Sequence, residues 1–268
     1  MIKVHLLIID PQNDFCDPNI GALYVPGAEK DMSRIGNFIE TKGDKIFDIH
    51  VTLDTHHFLD IAHPSFWVGS DGKTNPTPLA TVITVADVKN GTWRAKNPAW
   101  QDRAVKYVEA LEANKRYALV IWPPHCLIGT IGHNVHPSLG DKLLAWEQRY
   151  GWVNYVTKGS NMFTEHYSAV KADVPDPEDS TTDLNTDFIE VLESSDLLIV
   201  TGEASDFCVA NTMKDIVDNF GAESAKKIVI AKDCMSAVNA PGLEHLAETF
   251  FKEMKAKGVR VENLVDIL

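Results

Sequence analysis

The sequence predicts an α/β fold built on a parallel sheet. Three observations point there. Short apolar runs alternate with stretches of helical periodicity, the pattern of βαβ units. The runs stop abruptly at polar residues or glycine, as buried strands do at the edge of a sheet. The chain has 268 residues, 44% hydrophobic and 24% charged. A chain of this size buries about 70–75% of its unfolded surface, so folding needs neither disulfides nor metal.

The elements follow in order. Residues 2–9 are a buried strand ending at Asp10. Residues 28–41 place Met32, Ile35, Phe38 and Ile39 on one helical face. Residues 45–53 form a second strand, stopped by Asp54. Residues 64–98 are rich in Pro, Gly, Asn and Thr, with a hairpin predicted at Asn90-Gly91. A helix follows at 99–114, then an apolar run at 118–122 ending in Pro123-Pro124. Helices are predicted at 138–150, 185–194, 207–220 and 242–256, and strands at 153–157, 197–201, 228–231 and 259–267. Residues 173–181 read as a surface loop.

Composition excludes several function classes. Net charge is −13, which argues against a nucleic acid partner or an anionic membrane surface. No apolar run approaches the roughly 20 residues a spanning helix needs. Residues 6–9 end at Asp10 with no basic segment before them, so no secretory signal is read. Cys16, Cys126, Cys208 and Cys234 are widely spaced and read as reduced thiols of a cytoplasmic protein. Neither GxGxxG after the first strand nor a P-loop motif occurs, so dinucleotide and NTPase readings lack support.

Ligands of open parallel sheets bind beyond the carboxyl ends of the strands. Asp10, Asp54, Lys158 and the segment Gly202–Cys208 all lie just past predicted strand ends, so they are expected to converge. Cys208 falls at a strand–turn–helix junction, where free N–H groups and the helix dipole favour a thiolate. The alternative is a buried inert cysteine. Asp10 is suited to take the thiol proton and return it to a leaving amine, and Lys158 to keep Asp10 ionised. Alternatively, Asp10 caps a turn and Lys158 is a solvated loop lysine.

A second group is Asp54 and His56, with His57, His63 and His125. An Asp and a His two residues apart can reach one cation. Pro123-Pro124 presents His125 stiffly, and His63 is the fourth candidate ligand. Such a mixed O/N set suits Zn²⁺, Fe²⁺ or Mn²⁺ better than Ca²⁺. Surface loop histidines are the plain alternative; His133 and His136 are read that way. Phe15 and Trp122 are either walls of a pocket for a flat ring or ordinary core.

The ordered set LLIIDPQNDFC (6–16), TLDTHH…HPSF (52–66), WPPHCLIGTIG (122–132), VTKGSN (156–161) and GEASDFCVANT (202–212) resembles the isochorismatase-like cysteine hydrolase superfamily, within it the nicotinamidase branch. The resemblance spans most of the chain. It implies a three-layer α/β/α domain over 1–268 with a six-stranded parallel sheet. It implies an Asp10–Lys158–Cys208 triad, a divalent metal on Asp54, His56 and His125 with His63 as a further loop ligand, and a cis Glu203–Ala204 peptide. The N–H groups of Ala204 and Cys208 would form the oxyanion hole. The implied reaction is hydrolysis of a small carboxamide such as nicotinamide through a thioester.

Three features depart from the branch. The long spacing from Asp54 to His125 makes 67–117 an insertion or cap segment before WPPHC. Glu203 stands where an apolar residue is usual; it would either face the pocket and favour a cationic substrate, or pair with a basic side chain. His166 stands near Lys158 where a bulky apolar or small residue is expected. Two other readings remain: a ureidoacrylate or N-carbamoyl amidase using the triad without the metal, and a non-catalytic binding protein on the same fold. A homo-oligomer is compatible with either.

Overall fold

The computed structural model describes residues 2–221 and 223–268. A six-stranded sheet runs through its centre. Its strands are β1 (Val4–Ile9), β2 (Asp48–Asp54), β3 (Asn154–Lys158), β4 (Leu197–Gly202), β5 (Ile228–Ala231) and β6 (Arg260–Glu262), in the spatial order β6-β5-β4-β1-β2-β3. Every pairing in it is parallel. All six residues of β1 and all four of β5 are buried, as strands covered on both faces must be.

The chain winds outward from β1 to β3, returns to β4 beside β1, then winds the other way to β6. With right-handed crossovers, that reversal puts helices on both faces and opens a crevice at the carboxyl ends of β1 and β4. Helix α1 (Ala28–Lys42) buries Met32, Ile35, Phe38 and Ile39, the face its spacing predicts, and packs on α3 (Pro137–Glu147). Helices α2 (Gln101–Asn114) and α4 (Thr186–Glu193) follow the predicted positions. Helix α5 (Cys208–Asn219) buries Val209, Met213 and Ile216 and packs on α6 (Leu246–Ala256).

Two local expectations, at Asn90-Gly91 and in the last strand, are corrected. The apolar run at 118–122 lies outside the main sheet. Only Leu119–Val120 is a strand, antiparallel to Val82–Ile83. The place beside β2 belongs to β3, and the N–H groups of Ile121 and Trp122 bond to Thr81 and Ala62 instead. Asn90-Gly91 is not a hairpin turn. A reciprocal Thr84–Asp87 capping box starts a helix at Val85–Asn90, and left-handed Gly91 ends it. Trp93–Ala95 then pairs with Trp67–Gly69. The last strand stops at Glu262, because Asp233 accepts the Leu264 N–H and the chain turns into a 3₁₀ segment.

The crevice depends on close contact between β1 and β4. Gly202 pairs with Ile9 and has φ of 105°. A Cβ there would lie 2.1 Å from the Ile9 carbonyl oxygen. Gly202→Ala is therefore expected to destabilise the fold by more than ~3 kcal/mol, measured as the shift in urea midpoint at unchanged m-value.

Candidate active site

Asp10 directly follows β1, Asp54 ends β2 and Lys158 ends β3, while Cys208 is the first residue of α5. All four are buried. Lys158 Nζ lies 3.0 Å from Asp10 Oδ2 and 3.0 Å from Asp54 Oδ1. It also donates to the His166 carbonyl at 2.9 Å and approaches Cys208 Sγ at 3.6 Å. Acid, amine and thiol thus meet at the crevice. The register makes Asp54 and Lys158 strand partners, which explains why residues over a hundred positions apart touch.

Asp10 is tightly held. The Thr52 hydroxyl donates to Asp10 Oδ1 at 2.6 Å and accepts the Asp10 N–H at 3.0 Å. Burial pushes the Asp10 carboxyl up, against the pull of Lys158. Burial also pushes the Cys208 thiol well up, again against Lys158. Burial alone would lower Lys158, but Asp10 and Asp54 reverse this and hold the ammonium well above its ordinary value. The resting cluster is therefore a neutral thiol beside a charged amine.

Asp54 has a second task. Its Oδ2 lies 3.0 Å from His56 Nε2 and 3.3 Å from His125 Nε2. Both rings are aimed from behind: His56 Nδ1–H donates to Asp60 Oδ2 at 3.1 Å, and His125 Nδ1–H donates to the Pro123 carbonyl at 2.8 Å. This leaves both Nε2 atoms facing one point, the arrangement of imidazole ligands held by an outer acceptor. Asp54, His56 and His125 could together hold one ion. His63 is not in that close set. Its ring packs on His56 and His125, centroids 5.2 and 5.5 Å away, and its buried Nε2 has no partner. His57 is exposed. Gly159, at φ 84°, passes so close that a Cβ would lie 2.8 Å from Asp54 Oδ1.

A cleft joins the two groups. It is lined by Phe15, Leu23, Asp54, Trp122, His125, Glu165, Tyr167, Ala204, Phe207, Cys208 and Val238. Phe15 packs edge-on to His125, and Trp122 edge-on to Phe207. None of the described residues of 67–117 is among them. That segment instead supports the cleft from outside, as the Tyr107 hydroxyl accepts the Glu165 N–H. The Glu203–Ala204 peptide is cis.

Of the two expectations for Glu203, the one that turns it away from the pocket holds in orientation but not in partner. Its side chain is fully buried, faces away from the cleft, and meets neither substrate space nor a basic partner. It accepts the Ser236 N–H at 2.9 Å and lies against Asp31, which the Ser236 hydroxyl and Arg34 also reach. Turning inward lets this polar side chain satisfy Ser236 beneath the loop that carries Cys208. Burial and the Asp31 charge push the Glu203 carboxyl well above its ordinary range. The folded chain thus keeps a proton that the unfolded chain loses above the ordinary glutamate pKa, so this group's contribution to stability falls as pH rises beyond that value. Glu203→Gln is expected to flatten that fall, seen as a smaller loss of unfolding free energy between pH 5 and 8 in urea titrations than in the parent.

Several positioning groups were not anticipated. The Gln12 side chain clamps both backbone groups of Asp54, each at 2.7 Å. Asp14 accepts the Cys126 N–H at 2.6 Å, fixing the loop that carries His125. Burial pushes Glu165 up to about 7. Gln12 and Asp14 sit in the DPQND run already singled out, whereas Asp60 and Glu165 carry no spacing signal.

A parallel sheet with an acid, an amine and a thiol at its switch point is the arrangement that the resemblance implied, and the known proteins the chain is similar to are nicotinamidases. No family model matches the chain. The nicotinamidase of Escherichia coli K12 is 26% identical over 263 residues, 97% of this chain and 95% of that protein. An Acinetobacter baumanii nicotinamidase/pyrazinamidase superposes with a TM-score of 0.65 at 22% identity, covering 100% of this chain and 99% of that one. Yeast nicotinamidase gives 0.63 at 20% identity, covering 97% and 99%. The pyrazinamidase of Pyrococcus horikoshii, solved in complex with zinc, gives 0.55 at 17% identity, covering 98% and 99%. Among the described residues, no helix is long and apolar enough to cross a membrane.

Proposed function

We propose that the chain is a metal-dependent cysteine amidohydrolase that cleaves a small carboxamide such as nicotinamide to its acid and ammonia. The observation that carries this reading is Lys158 Nζ, 3.0 Å from Asp10 and 3.6 Å from Cys208 Sγ, beside a cleft that opens onto Asp54 and His125. The nicotinamidase relatives support the substrate class.

In this mechanism Asp10 takes the Cys208 proton as sulfur attacks the carboxamide carbon. Lys158 stabilises the charge that develops on the pair. The oxyanion is received by the N–H groups of Ala204 and Cys208. The C–N bond then breaks, and Asp10 passes its proton to the leaving nitrogen, releasing ammonia. Asp10 next deprotonates a water that attacks the thioester, and the acid leaves as Cys208 recovers its proton. Phe15 and Trp122 flank the ring. A carboxyl raised by burial suits a group that must act first as base and then as acid.

Asp54, His56 and His125 would hold the metal, with the unpartnered Nε2 of His63 nearby as a further donor. A bound divalent ion supplies a positive anchor for a ring nitrogen. The mixed O/N donors fit zinc, and the zinc complex of the Pyrococcus relative supports that choice. Asp60 orients His56, so Asp60→Asn is expected to weaken metal binding by roughly 10–100-fold, read by competition with a chromophoric chelator.

The direct test is ammonia release from a panel of small carboxamides, with and without chelator. The reading expects nicotinamide turnover that falls on chelation and returns with Zn²⁺, Fe²⁺ or Mn²⁺. No turnover with metal restored would remove nicotinamide as substrate. Full turnover with a metal-free site would favour the ureidoacrylate or N-carbamoyl reading.

A further inference from the structure

At the opposite end of the sheet, β1 and β2 carry a second polar group inside otherwise apolar strands. The register pairs His5 with Asp48 and Leu7 with His50, and β3 adds Asn154 opposite His50. Residues two apart on a strand share a face, so His5, Asp48, His50 and Asn154 form one row across three strands. His5 and His50 are 1% and 2% exposed, while the Asp48 side chain is 36% exposed.

The two imidazoles meet directly, with His50 Nε2 3.1 Å from His5 Nδ1. Asn154 Nδ2 lies 3.2 Å from His50 Nδ1. With Asn154 donating there, the His50 proton sits on Nε2 and points at His5. The His5 proton then sits on Nε2, which is buried without a partner; Asp48 Oδ2 is 3.7 Å from it. Two nitrogens bound to one zinc ion at about 2.0–2.1 Å lie about 3.3 Å apart, close to the separation of these two rings. Each of His5, Asp48 and His50 can offer one ligand atom within 4.8 Å of the others.

We propose that His5 Nδ1 and His50 Nε2 form a second site for a borderline divalent cation of the zinc class, with Asp48 as the outer acceptor facing the His5 Nε2 proton and solvent completing the coordination. The ion takes the place of the proton between the rings. His50 moves that proton to Nδ1, where an end-over-end flip of the Asn154 amide presents an oxygen to receive it. His5 keeps its proton on Nε2. Phe47 stacks on His5 and Phe188 packs edge-on to His50, so both rings are already oriented. Burial holds both imidazoles below their ordinary pKa, His50 at about 3, which leaves them neutral, the form that binds metal. Four residues of β1 lie between His5 and Asp10, five steps or roughly 16 Å at strand rise, so the site is distinct from the cleft.

The test is a Co²⁺ and Zn²⁺ titration of the chelator-stripped full chain, following cobalt visible absorption and metal stoichiometry. The parent is expected to bind one equivalent more than His50→Gln. Asp48→Asn, a change at a half-exposed position that the fold tolerates, is expected to weaken that equivalent by at least 10-fold. The difference is expected to persist in a His56→Gln/His125→Gln background, which separates it from any ion in the cleft. Equal stoichiometry in parent and in folded His50→Gln, or a parent equivalent unaffected by Asp48→Asn, would overturn the proposal.

Discussion

Cys208→Ala is expected to lower carboxamide hydrolysis by roughly 10³-fold or more while leaving the fold intact. Cys208 is buried at the head of α5, with Sγ 3.6 Å from Lys158 Nζ. Removing one sulfur takes away the nucleophile and opens a space smaller than two methyl groups. Any residual rate then comes from the cleft and oxyanion donors acting on water. Cys16, Cys126 and Cys234 are also buried and unbridged. Burial raises all three thiols, and among the described residues the thiol that Lys158 Nζ contacts is that of Cys208, not one of these. Alanine at those positions is expected to affect stability rather than turnover. Ammonia release by the four variants, each checked by circular dichroism, measures this. A Cys208→Ala variant with parental turnover would refute the assignment.

Asp10→Asn is expected to cost about 10²–10⁴-fold in turnover, with little change in KM. The amide keeps the Thr52 contacts and the shape of the site. It cannot accept the thiol proton, and it leaves Lys158 balanced by Asp54 alone. The loss therefore falls on the thiol attack and on ammonia departure, both of which need a proton carrier at that atom. Steady-state kinetics on nicotinamide separates this from a binding defect. A rise in KM at unchanged kcat would mean that Asp10 holds substrate rather than moving protons.

The sheet and the convergence of Asp10, Asp54, Lys158 and Cys208 were legible because they depend on strand ends. An apolar run that stops at a polar residue marks a carboxyl end, and a parallel sheet brings those ends to one edge. Boundaries failed where local chemistry outweighed pattern. The Asn90-Gly91 pair looks like a hairpin turn until Thr84 and Asp87 cap a helix before it. The apolar 118–122 run stays outside the sheet because β3 fills the place beside β2. The sequence leaves the orientation of Glu203 open because spacing says nothing about whether a side chain after a strand turns into the cleft or under the loop. Its partners there are the Ser236 N–H and Asp31 rather than a basic side chain.

The outer supports were hidden for a different reason. Asp60 reaches His56, and Glu165 lines the cleft, through loop conformations that leave no periodic trace. His5 and His50 were overlooked because each sits alone in an apolar run, and only strand register brings them together.

The central claim is that Cys208 carries the acyl group of a small carboxamide. Acid quenching of the metal-loaded chain during nicotinamide turnover, followed by peptide mass analysis, tests it most directly. The expected result is a nicotinoyl adduct on the peptide containing Cys208, absent from Cys208→Ala. Turnover accompanied by an acyl group on another residue would contradict it.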